Sequence, residues 1–339
     1  MGVDIGGILF KEEIGFDRLR SKVVSVDGYN ILYQFLSIIR GPDGTPLMDK
    51  RGRTTSHLSG LFYRVCNLMS NDIWPVFVLD GEPPRFKKRE VEERKERKRE
   101  AEKKYDLALK RGALEEARKY AQATARISDH VLGSTKRLLE LMGIPWIQAP
   151  SEGEAQAAFL AGQGLAYAAA SQDYDSALFG APRIVRNLGI TGRRKLPGRS
   201  TYIEVKPEMV DVGRSMSDLG VTREELIEVA IIVGTDYCEG VKGLGAKKAL
   251  SLIKRGVKLG DAYREKNLEP PENLQEIVEF FTNPPVAEVR SLDFRAPDRE
   301  GIVSLLVDEY SFSEQRVART LDEVIKKLEM KRSGLGRFM

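Results

Sequence analysis

Seven carboxylates stand at the ends of otherwise apolar segments: Asp27, Asp80, the pair Glu152 and Glu154, the pair Asp173 and Asp175, and Asp236. An all-oxygen ligand set of this kind suits a hard divalent cation, Mg²⁺ first, with Mn²⁺ as a substitute. The chain has 2 histidines (His57, His130) and 2 cysteines (Cys66, Cys238), which nearly excludes a zinc, haem or iron–sulfur site of ordinary composition. Carboxylates gathered at one place repel one another strongly. The set therefore makes chemical sense around metal ions, with a metal-bound phosphate between them.

The charge distribution says what that phosphate belongs to. Net charge is only +4, yet residues 85–104 carry 11 Lys+Arg against 6 Asp+Glu, leaving the rest of the chain close to neutral. An acidic centre inside a basic exterior is built to hold a polyanion against cations, and nucleic acid is the leading candidate.

These groups need a scaffold, and 339 residues with 42% hydrophobic content can bury a large core, in about two domains or one elaborated one. The start, Met1-Gly2-Val3-Asp4, has neither the basic flank nor the apolar core of a signal peptide, and Gly6 stands where a myristoylation signal needs Ser or Thr. Apolar stretches such as residues 229–233 are far too short to span a bilayer, so no membrane role is expected. Cys66 and Cys238 form no CxxC pattern and read as thiols of a reducing compartment.

Residues 22–26 and 74–79 are short strand-like runs that end in Asp27 and Asp80. Residues 144–147, 167–170 and 184–185 are further apolar runs, alternating with helical patterns such as 155–160. The expected fold is therefore α/β, a mainly parallel twisted sheet flanked by helices. Ligands of such sheets collect beyond the carboxyl ends of the strands, where Asp27, Asp80 and Asp173 fall, so the acids are expected at one locus.

Each acid also has a plain structural reading. Ser151-Glu152-Gly153-Glu154 fits a capping box in which Glu154 returns to the Ser151 backbone. Asp173-Tyr174-Asp175 reads as a turn with a helix cap, and Asp27-Gly28 as a turn. Caps alone do not readily produce all seven together.

Two further segments suit a phosphate backbone. Gly243-Leu244-Gly245-Ala246-Lys247-Lys248-Ala249 lies between helical patterns at 225–234 and 246–253, so glycines, free helix amides and two lysines face one point; a plain turn between helices is the alternative. A dinucleotide fingerprint needs a third glycine where Lys248 stands, and a P-loop needs Gly-Lys-Ser/Thr where Gly245-Ala246-Lys247 stands. The basic segment 85–104 is too polar for a core helix. Pairs Glu90/Arg94, Glu93/Arg97 and Glu100/Lys104 at i,i+4 support a solvated helix. On that helix Lys87 and Arg94 lie about two turns apart on one face, a cationic stripe rising from the acids.

The strings Ser25-Val26-Asp27-Gly28, Val78-Leu79-Asp80-Gly81-Glu82-Pro83-Pro84, Ala149-Pro150-Ser151-Glu152-Gly153-Glu154-Ala155, Ser171-Gln172-Asp173-Tyr174-Asp175, Gly234-Thr235-Asp236-Tyr237-Cys238 and Gly243-Leu244-Gly245 occur in the order and spacing of the flap endonucleases, a branch of the XPG-type 5′ nucleases. The chain resembles that family over essentially its whole length. It looks most like archaeal members, since no long lysine-rich extension follows residue 339. The resemblance implies a PIN-like nuclease core with a helical arch and a helix-two-turn-helix module. Its divisions would be 1–84 (first part of the core), 85–135 (arch), 136–330 (rest of the core, with the module near 225–256) and 331–339 (tail).

The resemblance also implies roles. Asp27, Asp80, Glu152, Glu154, Asp173, Asp175 and Asp236 match a two-metal set, and Lys87 and Arg94 the arch cations that steady the scissile phosphate. Tyr33 matches an aromatic that stacks on the base beside the cut, and Gly2 a chain start near the active site. Gly243, Gly245, Lys247 and Lys248 fall in the duplex-gripping module, where family members also bind a monovalent cation such as K⁺. The implied activity is Mg²⁺-dependent removal of 5′ flaps in Okazaki-fragment maturation and repair, with 5′-3′ exonuclease side activity, leaving 5′-phosphate and 3′-hydroxyl. The implied setting is a monomer in an archaeal cytoplasm, at the nucleoid, or in the nucleus of a eukaryote.

Family members usually end in a sliding-clamp (PCNA) motif. Here Leu335 and Phe338 fit it, while Arg332 replaces its glutamine and Met339 its second aromatic; a frayed terminus is the alternative. Two other functions are consistent with parts of the pattern: a sister 5′ nuclease specialised for exonuclease or repair-bubble cleavage, and a non-catalytic DNA-binding adaptor.

Overall fold

After a short exposed strand, β1 (Lys11–Glu13), the β-branched run at 22–26 forms β2 (Lys22–Asp27), which leads straight into α1 (Gly28–Ile38). α2 (Ser56–Ser70) returns the chain to β3 (Ile73–Leu79). A 3-10 turn at Arg85–Lys87 then opens α3 (Lys88–Lys110), followed by α4 (Leu114–Ala121) and α5 (Asp129–Leu141). Next come β4 (Trp146–Gln148), α6 (Gly153–Gly162), β5 (Ala168–Ala170), α7 (Asp175–Leu178) and β6 (Arg183–Arg186). β7 (Gly192–Lys195) and β8 (Tyr202–Val205) pair as a separate ribbon before β9 (Glu208–Asp211) rejoins the main sheet. The remainder is helical: α8 (Val212–Leu219), α9 (Arg223–Val233), α10 (Ala246–Lys254), α11 (Leu259–Arg264), α12 (Leu274–Thr282), α13 (Arg299–Val303) and α14 (Glu314–Leu335). This computed structural model describes residues 2–41, 43–189, 192–195 and 202–335.

The main sheet has 7 strands in the order β1-β9-β6-β5-β2-β3-β4. β4, β3, β2, β5 and β6 are parallel, and β9 runs antiparallel to both β6 and β1. The chain lays β3 and β4 on one side of β2, then restarts with β5 on the other. That reversal opens a crevice at the carboxyl ends of β2 and β5. Asp27 ends β2, Asp80 follows β3, and Asp173 and Asp175 follow β5. The expected α/β fold and strand-end placement are thus present, with strand ends shifted by a residue or two from the apolar runs.

Alternation along the strands divides the core between two faces. Val76, Val78 and Ala169 pack with α6, α9 and α12 on one face, and Val24, Val26, Phe77 and Ala170 with α2, α5 and α14 on the other. Ser25 is the exception, a buried polar residue inside the sheet. Its hydroxyl donates to the Ala157 carbonyl of α6 at 2.8 Å, and the alanines of α6 and β5 allow that approach. The helix that carries Glu154 is thereby bonded to the strand that carries Asp27.

The basic segment is helical, as its i,i+4 pattern predicts, and runs on to Lys110. Among the described residues what it buries is small: Ala101 and Ala108 of α3, where it packs along α4, whose buried residues are Ala117 and Ala121. Among the described residues no helix is long and apolar enough to cross a membrane.

Candidate active site

Around the crevice each acid is fixed by a local hydrogen bond. Asp27 is the N-cap of α1 rather than a turn residue, and its Oδ1 accepts the Asn30 amide at 3.0 Å. Gly28 follows because the helix starts against β3: a Cβ there would meet the Val78 carbonyl oxygen and Leu79 Cδ2, both at 2.7 Å. Asp80 Oδ1 accepts the Gly153 amide at 2.7 Å, and a Cβ on Gly153 would stand 2.5 Å from that oxygen. Glycine at this position brings the start of α6 onto Asp80.

The capping box that is the plain structural reading of Ser151–Glu154 does not form. Glu152 is the N-cap of α6 without a side-chain cap bond, its carboxylate is paired with Lys87 Nζ at 2.7 Å, and Glu154 accepts the Ser171 hydroxyl at 2.5 Å. A distant partner displaces the local one. Nor do Asp173 and Asp175 cap α7, since Tyr174 is its N-cap and has no side-chain cap bond. Instead Asp173 Oδ1 accepts the Gly2 amide at 3.0 Å and Asp175 Oδ1 the Val3 amide at 2.8 Å, with Asn30 Nδ2 3.4 Å from Asp173 Oδ2. The chain start therefore lies on the acids, where the sequence reading put Gly2.

Asp236 comes from the segment between α9 and α10 and is paired with Arg94 Nη2 at 2.7 Å. Lys87 and Arg94 thus face the acids from one side of the α3 start, as their spacing predicts. Arg94 reaches across from α3 to Asp236, and the Glu90 side chain of the expected Glu90/Arg94 pair lies outside the described side chains. Arg97 Nε lies 3.3 Å from the Glu93 carbonyl oxygen, a bond to the backbone.

Electrostatics bind all seven acids into one system. Burial, then the Asp80 charge, raises Asp27 well above the usual carboxylate range, with Asp173 and Glu152 adding to it. Burial, then Glu152, lifts Asp80 to about 6. Burial, then Asp175, Asp27 and Asp173, raises Glu154, and burial lifts Asp175 to about 7 with Asp236 and Asp173 pushing the same way. Lys87 is pulled down by burial, but Glu152, Asp236 and Asp80 outweigh that and hold it above the usual lysine value.

Among the described residues no group of three acids, histidines or cysteines closes to metal-holding spacing. The seven surround the crevice at electrostatic range, with oxygens committed to amides, to Ser171 and to Lys87 and Arg94. The donor set still fits hard divalent cations. Every candidate ligand is a carboxylate, and the raised carboxyls show the mutual repulsion that bound cations relieve.

Tyr33 lies on α1 with 43% of its surface exposed, within electrostatic reach of Tyr29. Farther off, α9 ends at Gly234, and Gly243 takes a positive φ of 86°, a conformation that favours glycine. Gly245 is the N-cap of α10 with open space at its Cβ position, Lys247 is exposed, and Lys248 Nζ lies 3.4 Å from the Gly243 carbonyl oxygen. Leu335 is the last described residue, at the end of α14; Phe338 lies outside the described residues.

Sequence reasoning missed Asn30, Ser171 and Arg186, which hold Asp27, Glu154 and the Asp173 turn. Asn30 had a usable signal, three residues after a strand-ending Asp, where an N-cap receives its amide. Ser171 and Arg186 bind across the fold and leave no local pattern.

Comparison with known proteins places this geometry. Residues 8–101 match the XPG N-terminal domain and residues 143–236 the XPG I-region. The chain is 53% identical to Flap endonuclease 1 of Pyrococcus furiosus, over 97% of this chain and 96% of that protein. It is 51% identical to Flap endonuclease 1 of Archaeoglobus fulgidus over the whole of both. The solved flap endonuclease-1 of Methanococcus jannaschii superposes with a TM-score of 0.76 at 41% identity, covering 97% of this chain and 100% of that one. The exonuclease-specialised and adaptor alternatives lose their support. With its strand-end acids, cationic helix and near-complete coverage by such relatives, the chain belongs to the flap endonuclease family, divalent-metal-dependent nucleases that bind branched DNA and remove 5′ flaps in Okazaki-fragment maturation and repair.

Proposed function

We propose that Asp27, Asp80, Glu152, Glu154, Asp173, Asp175 and Asp236 together hold two Mg²⁺ ions, which Mn²⁺ can replace, and that Lys87 and Arg94 act on the scissile phosphate. When bound, the ions supply positive charge to the phosphodiester and ease deprotonation of an attacking water. The chain's own residues do the rest. Lys87 stays protonated, because the acids around it raise its pKa, and its ammonium already stands at the mouth of the crevice on Glu152. Arg94, seven residues on, reaches the far side at Asp236. Both can exchange a carboxylate for a phosphate oxygen without leaving the crevice, which places two cations where charge builds in the transition state. The cut leaves a 5′-phosphate and a 3′-hydroxyl.

Around that centre, Tyr33 offers an exposed ring for stacking on the base beside the cut. Gly243, Gly245, Lys247 and Lys248 grip the duplex phosphates, with K⁺ as a further counterion. The divisions 1–84, 85–135, 136–330 and 331–339 then serve as core, arch, core with grip, and clamp tail. The enzyme works as a monomer in the archaeal cytoplasm, at the nucleoid, and docks on the sliding clamp (PCNA) through Leu335 and Phe338. Truncation after Met330 should leave clamp-free cleavage intact and remove most clamp stimulation; equal stimulation of both forms would dismiss the tail.

The observation that carries this reading is the meeting of both arch cations with acids from two distant segments, Glu152 and Asp236. The test is product sizing from an end-labelled double-flap DNA with Mg²⁺ and with chelator. A discrete product at the flap junction in Mg²⁺ alone supports it, and metal-independent cutting rejects it.

A further inference from the structure

The turn that carries Asp173 and Asp175 is gripped from the side by a residue that no part of the proposed mechanism uses. Arg186 ends β6 and stands directly across the antiparallel ladder from Glu208 of β9, with Nη1 2.7 Å from Glu208 Oε1. Its Nε donates to the Gln172 carbonyl at 3.0 Å, and Nη1 also donates to the Tyr174 hydroxyl at 2.6 Å. The guanidinium lies 4.4 Å from the Tyr174 ring centre. One planar group therefore holds the backbone just before Asp173 and the side chain just after it.

The same turn is closed on by the chain start. Gly6 lies against the Tyr174 ring, since a Cβ there would come within 2.5 Å of Cζ and of the hydroxyl oxygen, and the Gly2 and Val3 amides reach Asp173 and Asp175. Lys11 Nζ adds a contact to the Tyr174 hydroxyl at 3.4 Å. The carboxylates thus project from a turn whose direction depends on the guanidinium. A fork with several fixed donors makes this arrangement, and an ammonium cannot reproduce all of it.

We propose that Arg186 is the positioning residue for Asp173 and Asp175, fixing the direction in which the pair presents its oxygens to a divalent cation. The proposal rests on the reading of those two acids as metal ligands. Loss of a group that orients ligands typically weakens metal binding by about 10- to 100-fold.

The test measures Mn²⁺ binding by calorimetry on the DNA-free protein, and the Mg²⁺ dependence of single-turnover flap cleavage, for Arg186→Ala, Arg186→Lys and Asp173→Ala. Arg186→Ala should weaken Mn²⁺ binding by about tenfold or more and shift the Mg²⁺ midpoint upward by a similar factor. The rate at saturating Mg²⁺ should recover to within severalfold, and Arg186→Lys should fall between. Flap affinity measured in Ca²⁺ should hold. Unchanged Mn²⁺ binding and Mg²⁺ midpoint, with or without a lower melting temperature, would overturn the proposal, as would a loss confined to flap affinity. Should Arg186→Ala not fold, Tyr174→Phe keeps the ring and removes the hydroxyl acceptor; it should give the same shift in smaller degree, and wild-type Mn²⁺ binding would overturn the proposal. Wild-type Mn²⁺ binding by Asp173→Ala would instead overturn the metal-ligand reading itself.

Discussion

Asp175 is buried at the start of α7 and takes a backbone amide from the chain start, whereas the Arg94 side chain is 46% exposed on a helix whose buried residues are alanines. The acids of the crevice are set by strand ends, helix starts and backbone amides, all parts of the sheet scaffold. Among the described residues the basic segment is held by contacts that include the bonds from Lys87 and Arg94 to the acids, a two-pronged Arg126–Glu102 pair, and a Lys98 bond to the Ala125 carbonyl. The exposed Arg126–Glu102 pair contributes about 0–1 kcal/mol, whereas Lys87 and Glu152 are largely buried and depend on each other's charge. The difference teaches where precision resides. The floor has one geometry, while the arch is positioned largely by the same charges on which it acts.

On the proposed roles, removing an acid should have the largest effect, because chemistry would depend on the floor and affinity on dispersed surface cations. Asp175→Ala or Asp80→Ala should abolish single-turnover cleavage in Mg²⁺ while flap binding stays within severalfold; near-normal turnover by either variant would erase the contrast. Arch cations come next. Lys87→Ala and Arg94→Ala should each slow the single-turnover step by about 10²-fold or more, with small changes in affinity. A fall in affinity at constant rate would make the arch a binding surface only.

The duplex grip should behave in the opposite manner. Lys247→Ala with Lys248→Ala should weaken flap binding and lower the salt dependence by about 0.9 per lost phosphate contact, leaving the cleavage step near normal. An unchanged slope would reduce the glycine hairpin to a turn between helices. The smallest effect is on stability. Asp80 and Asp175 have folded-state values of about 6 and 7, above those of the unfolded chain, so between roughly pH 4 and 7 the folded state holds protons that the unfolded state has released. Folding stability from these groups therefore falls as pH rises through that window. Cations remove the repulsion, so Mg²⁺ should raise the melting temperature more at pH 8 than at pH 5. An equal rise at both would mean that the acids do not share their cations.

The sequence makes the floor more legible than the way it is secured. β2 and β3 announce themselves as β-branched runs that end in acids, and the exposed arch helix by its charge pairs. The edge strand β1 and its neighbour β9 did not, because Lys11–Glu13 and Glu208–Asp211 are only 3 and 4 residues long and exist through pairing with distant partners. The plain capping-box reading of Ser151-x-x-Glu154 fails for a related reason. A capping box is worth a local hydrogen bond or two, and the Ser171 hydroxyl brought in by β5 offered Glu154 a tertiary one. The Arg94–Asp236 pair is likewise visible only once the segment after α9 and the start of α3 are brought together.

The hydrogen bonds from the Gly2 and Val3 amides to Asp173 and Asp175 have a practical side. An alanine in place of Gly2 would put a methyl carbon 2.5 Å from Asp173 Cβ. A side chain at Gly2 therefore requires the turn that presents Asp173 to shift, so Gly2→Ala probes that turn from the opposite side to Arg186.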